Sequence, residues 1–232
     1  MSVSLLSALG GYVESQSQRA RMRIGNRLPF ITISREAGAG AVTIGRLVAE
    51  ELNQRSHDAN DPPWTVFDKN LVEKVLEDHD LPEKIKEFLP ENTTFDLKDA
   101  AEELLGLHPS NWTLVQDTTQ TILRLAHLGN VILVGRGSNM ATENVPGGLH
   151  LRVVAPVERR TNHALEFYKF DYKQAVEFVR KTDRARRRYV NRYFNADIDD
   201  PLHYHLVINT GWMRFEDAAR LIADTVSTVR LI

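Results

Sequence analysis

A three-layer α/β fold, with a five-stranded parallel sheet between layers of helices, is what this 232-residue chain predicts. Three observations point there. Five short β-branched runs, each bounded by Gly, Pro, Asp or Asn, alternate with helical segments, and such alternation favours parallel strands covered on both faces. The first run passes straight into a Gly-rich turn and an amphipathic helix, FITISREAGAGAVTIGRLVAEEL over Phe30–Leu52. A composition of 42% hydrophobic and 26% charged residues is that of an ordinary globule with a sizeable core.

The strands are predicted at Phe30–Ser34, Trp64–Phe67, Val131–Val134, Leu149–Val154 and Tyr204–Asn209. Helices are predicted at Thr43–Gln54, Lys69–His79, Thr113–Leu128, Pro156–Tyr168, Tyr172–Arg192 and Phe215–Thr228. Pro156 suits a first helical turn, where its missing N–H is harmless. His57–Pro63 reads as a loop. Residues 81–110 carry acidic residues, prolines and short helical pieces without a strand, so they are expected to form a helical insert.

Residues 1–27 are expected to form an N-terminal helical extension, ahead of one domain over 28–232. The start has an apolar patch with no basic residues before it, which argues against a secretory signal. No apolar run approaches the roughly 20 residues that cross a bilayer, so the expected location is cytoplasmic, with no membrane partner. A formal charge of −2 argues against a protein that coats nucleic acid. The absence of cysteine excludes disulfides, thiol catalysis and Cys-based metal sites. The eight histidines show no paired ligand spacing, and no metal site built from protein side chains alone is expected.

Strand, Gly-rich turn and helix in succession make an anion site from backbone, because the turn's N–H groups and the positive helix end converge on a phosphate. The full signature G-x-x-x-x-G-K-[ST] is incomplete: Arg35 stands at the first Gly position, and Ala41 and Val42 follow Gly40. Gly38 and Gly40 permit positive φ and close approach of a ligand. A tight turn without a ligand is the alternative.

Arg136, in VGRGS after the third strand, falls at the carboxyl end of the sheet, where ligands of open α/β folds bind. It suits bidentate phosphate binding, or a solvated turn. Asp68, just after the second strand, suits a ribose hydroxyl, a base, a metal-bound water or a helix cap. In RKTDRARRRYVNR, the residues Arg180, Arg184, Arg187 and Arg188 form one helical stripe with Asp183 beside it. That stripe suits a lid that neutralises a transferred phosphoryl group. A solvated face and a nucleic-acid patch are the other readings.

From about Ile31 to Ile222 the chain resembles the cytidylate kinase-like branch of the P-loop nucleoside and nucleoside monophosphate kinases. The resemblance rests on ITISREAGAGAVTIG, FDKNLV, VILVGRGSNM followed by LHLRVVAPVERR, and DRARRRY leading into YHLVINTG. It implies a P-loop NTPase-type fold, with an acceptor-side insert at 81–110 and an Arg-rich lid at 170–200. It implies ATP with Mg²⁺ as donor and a nucleoside monophosphate or similar small molecule as acceptor. Gly38, Ala39, Gly40, Ala41, Val42 and Thr43 would cradle the ATP phosphates, and Arg136 would grip the acceptor. Arg180, Arg184, Arg187 and Asp183 would belong to the lid, while Arg35 or a lid arginine would make good the absent lysine. Two departures stand out: Ala41 replaces the phosphate-loop lysine, and Gly137 replaces the Asp that follows the Gly-Arg pair in cytidylate kinases. If nothing replaces the lysine, the fold would bind nucleotide without turnover, as a regulator.

Overall fold

The computed structural model describes residues 28–56, 62–68 and 109–228, side chains of 109–114 and 117 excepted. The predicted extension 1–27, the loop residues 57–61, the helix Lys69–His79 and the insert up to residue 108 lie outside the described residues.

The elements are β1 (Phe30–Arg35), α1 (Ala41–Arg55), β2 (Thr65–Phe67), α2 (Pro109–Leu128), β3 (Val131–Val134), α3 (Ser138–Ala141), β4 (Gly148–Val154), α4 (Val157–Tyr168), α5 (Tyr172–Phe194), β5 (Leu206–Asn209) and α6 (Phe215–Thr228). All strand pairs are parallel, in the order β2-β3-β1-β4-β5. The predicted five-stranded α/β architecture is present. α2 begins at Pro109, so the last two residues assigned to the insert are helical. β5 begins at Leu206, two residues after the predicted start, because Pro201–His203 form a 3-10 turn.

Side chains alternate across the sheet with period two. Ile31, Ile33, Leu149, Leu151 and Val153 face α1 and α6 in one core, whereas Phe30, Val131 and Leu133 pack with Ile122 and Leu125 of α2 in the other. The central strands are buried on both faces, which is why they read as continuous apolar runs. β1 and β4 nevertheless carry polar residues toward the α2 side. Thr32 Oγ1 lies 2.8 Å from His150 Nδ1, and Arg152 donates to Ser34 Oγ at 3.0 Å.

Burial, then the neighbouring His205, lowers the His150 pKa from 6.5 to about 4. The folded protein therefore holds His150 neutral while the unfolded chain takes up a proton between those values. Stability is accordingly expected to fall by about 3 kcal/mol as pH drops from about 6.5 to about 4. Urea unfolding of the wild type and His150→Gln at pH 7 and pH 4.5 tests this: the Gln variant should lose most of the acid sensitivity, and equal sensitivity would refute the assignment.

Candidate active site

β1 delivers the chain to the Gly-rich turn at the carboxyl edge of the sheet. Gly38 and Gly40 adopt φ +77° and +85°, and each tolerates only a hydrogen. A Cβ on Gly38 would run into the Arg160 carbonyl, and one on Gly40 into the Phe215 ring. Gly40 caps α1 without a side-chain hydrogen bond, and no acidic residue lies in the first turn. Among the described residues, the N–H groups of Gly38, Gly40, Ala41, Val42 and Thr43 have no hydrogen-bond acceptor. Five orphan donors at a positive helix end form an arrangement able to accept an anion.

The turn is held from the side by later elements. Arg160 of α4 is 8% exposed and reaches four oxygens. Its Nε donates to Ala155 O at 2.8 Å and lies 3.3 Å from Glu36 Oε2; its Nη1 donates to Ala37 O at 3.3 Å and to Asp183 Oδ2 at 2.5 Å. Asp183 in turn accepts from the Ala37 N–H at 2.7 Å. His163 donates to Gly38 O at 3.0 Å, and Thr210 Oγ1 donates to Ala39 O at 3.1 Å. Two amides of the turn are thus taken, that of Ala37 by the Asp183 carboxylate of α5 and that of Ala39 by the Glu36 carbonyl at 3.4 Å, while the five named above remain open.

Beside the turn lies a cavity of about 480 Å³ whose lining includes Arg35, Arg136, Asn139, Lys181, Arg186 and Tyr189. The end of β3 builds one wall: Gly135, Arg136 and Gly137 have φ of +87°, +56° and +66°. Three consecutive left-handed residues turn the chain sharply, and a non-Gly residue there carries strain of the kind found at binding sites. Gly135 is required for a second reason, since a Cβ would strike the Arg35 guanidinium. At Gly137, a Cβ would strike the Phe194 ring. An aromatic ring therefore abuts the position that holds an Asp in cytidylate kinases.

Burial, then the charges of Arg186 and Arg136, pushes the Arg35 guanidinium down to about 9, with Asp68 opposing. Arg35, Asp68 and Arg136, from three strand ends, thus share one electrostatic neighbourhood. Clustered guanidinium groups of this kind favour a bound anion.

The residues expected to form a lid divide. Helix α5 starts with a capping box, Asp171 with Gln174, and buries Ala175, Val179, Asp183 and Val190. Arg186 falls on that inward stripe. Arg180 and Arg184 lie on the exposed face and do not line the cavity. Arg187 binds Asp199, Nε to Oδ2 at 2.6 Å, and Asp199 also pairs with Arg152. The sequence reading therefore missed Arg186 and Arg160. For Arg186 the signal was available: the apolar stripe Ala175–Val179–Val190, not the charge stripe, marks the side of α5 that faces the protein.

With this geometry in place, comparison with known proteins gives the class. A profile of the cytidylate kinase-like family matches residues 30–211, and the chain belongs to that family. The fold also matches an uncharacterized protein from Eubacterium ventriosum, at 19% identity and a TM-score of 0.63, over 87% of this chain and 99% of that one. An APS kinase from Mycobacterium tuberculosis, solved with AMPPNP and APS, aligns over 87% of this chain and 99% of its own at 11% identity, with a TM-score of 0.48. A uronate isomerase from Corynebacterium glutamicum is 28% identical over 116 residues, which is 50% of this chain and 22% of that protein. The chain thus spans about a fifth of that curated relative's length, too little to carry its activity across. Among the described residues no helix is long and apolar enough to cross a membrane, and no group of three His, Asp or Glu side chains forms a metal site.

Proposed function

We propose that the protein transfers the terminal phosphoryl group of ATP to a nucleoside monophosphate or a similar small phosphorylated acceptor. The observation that carries this reading is the adjacency of two anion sites at the carboxyl edge of the sheet. One is the turn with five unpartnered amides; the other is the arginine-lined cavity. Phosphoryl transfer needs a donor and an acceptor held in line, with positive charge around the transferring oxygens, and little else from the protein.

In this reading Gly38 to Thr43 hold the donor phosphates through backbone N–H groups. Arg136 and Arg35 hold the acceptor's phosphate, with Asp68 limiting their mutual repulsion. Asp183 and Arg160 act at one remove, by fixing the turn against α5. A Mg²⁺ ion would be held mostly by the nucleotide itself, with the Thr43 hydroxyl, in the first turn of α1, the nearest hydroxyl in sequence to the turn that could assist. Such an ion, when bound, supplies charge neutralisation between the donor phosphates. Arg180 and Arg184 would contribute only to a ligand that reaches the outer face of α5.

A second reading has its own support. With Ala41 in place of lysine and Asp183 on the Ala37 amide, the same fold serves as a nucleotide-binding regulator. Incubation with ATP, Mg²⁺ and a panel of nucleoside monophosphates decides between them. ADP release stimulated by at least one acceptor is the expected result. Nucleotide binding without any stimulated turnover would overturn the kinase reading and leave the regulator.

A further inference from the structure

We propose that Arg186 supplies, from helix α5, the positive charge at the transferred phosphoryl group that a lysine following Gly40 would otherwise provide. This inference rests on the kinase reading above and names the residue that makes turnover possible without that lysine.

The geometry is specific to this arginine. Arg186 Nη1 donates to the carbonyl of Arg35 at 3.1 Å. Arg35 closes β1 and opens the turn, so the guanidinium is pinned where the donor cradle meets the acceptor cavity. Its Nε and Nη2 have no hydrogen-bond partner among the described residues, and the side chain lines the cavity together with Arg35 and Arg136. Asp183, one turn earlier on α5, lies 4.0 Å away and secures both Arg160 and the Ala37 amide. The turn and the guanidinium are therefore positioned by the same helix face. Burial disfavours the Arg186 charge and Asp183 restores part of it, the condition in which a guanidinium gains most from an arriving anion.

The other arginines of the helix are placed differently. Arg187 is engaged by Asp199, and Arg180, Arg184 and Arg188 are exposed. Ala41 offers a methyl group where a lysine would carry its amine, and no lysine of the described residues lines the turn's side of the cavity except Lys181, which pairs with Glu177 at 2.7 Å. An arginine anchored by one Nη group to backbone leaves its remaining donors preorganised, so little rearrangement is needed at the moment of transfer.

The test compares Arg186→Lys and Arg186→Gln with the wild type, using ATP, Mg²⁺ and the best acceptor of the nucleoside monophosphate panel. Gln keeps a donor for the Arg35 carbonyl and loses the charge; Lys keeps the charge and loses the fork. The expected result is a kcat lowered on the order of a hundredfold or more in the Gln variant and roughly tenfold in the Lys variant. The thermal shift produced by ATP should stay within a few degrees of wild type in both. A Gln variant that turns over like the wild type overturns the inference and leaves the kinase reading standing. Equal loss in both variants together with loss of the ATP-induced shift also overturns it, since that pattern belongs to a structural role. A wild type without turnover on any acceptor removes the kinase reading itself, and this inference with it.

Discussion

Replacing Arg160 by Ala is expected to cost about 3–5 kcal/mol of folding stability, a large share of what a domain of this kind possesses. Arg160 stands between two carboxylates with little access to water: the side chains of Arg160, Asp183 and Glu36 are 9%, 10% and 16% exposed. Removing the cation leaves both carboxylates in poor contact with solvent and opposed to each other, and it also orphans the Ala37 and Ala155 carbonyls. The whole of the expected loss comes from uncompensated groups rather than from the intrinsic strength of the ion pairs. Adding Asp183→Asn and Glu36→Gln to Arg160→Ala should therefore recover part of the stability, a non-additive result that a urea titration of the four variants reads directly. A loss below about 1 kcal/mol on Arg160→Ala would show that the cluster is hydrated and does not hold the turn.

The consequence reaches past stability. Asp183 belongs to α5, Arg160 to α4 and Ala37 to the turn, so one buried cluster ties α5 to the Gly-rich turn, the proposed phosphate site. A variant weakened there should lose ATP affinity as well, whereas the exposed ion pairs, such as Arg55 with Asp224, should contribute almost nothing to either.

Replacing Arg136 by Ala is the second large effect. The acceptor KM should rise roughly ten- to a hundredfold, the equivalent of a charge-assisted hydrogen bond worth about 1.5–3 kcal/mol, while ATP affinity changes by less than about threefold. The asymmetry follows from position: Arg136 lines the cavity at the end of β3, and the residues from Gly38 to Thr43 are not part of that lining. Initial rates with varied acceptor, paired with calorimetric titration of ATP, separate the two quantities. Equal losses for donor and acceptor would mean that Arg136 supports the fold of the site and does not grip the acceptor.

Much of the architecture was legible in the residues, and the reason is local. β-branched runs bounded by turn formers locate all five strands, because a buried parallel strand must be apolar on both faces. The Gly-rich turn was equally legible, since left-handed backbone at Gly38 and Gly40 leaves a recognisable spacing. The errors cluster where long-range packing decides. Thr43 reads as a helix start, yet α1 begins at Ala41, because Gly40 provides the cap with backbone alone. The basic stripe of α5 reads as the working face, yet the helix turns Asp183 and Arg186 inward, guided by Ala175, Val179 and Val190. Arg160 was invisible for a related reason: in VERR nothing local distinguishes a surface arginine from one that gathers four oxygens from distant segments.

The central claim is that the turn from Gly38 to Thr43 is a polyphosphate cradle made of backbone amides. Calorimetric titration of ATP with Mg²⁺ into the wild type and into Gly40→Val tests it most directly, with circular dichroism to confirm that the variant is folded. The account predicts one nucleotide bound per wild-type chain and none by the folded variant, whose new side chain must displace Phe215 from the turn. A folded wild type that binds neither ATP nor ADP, or a variant that binds them as well as the wild type does, would contradict it.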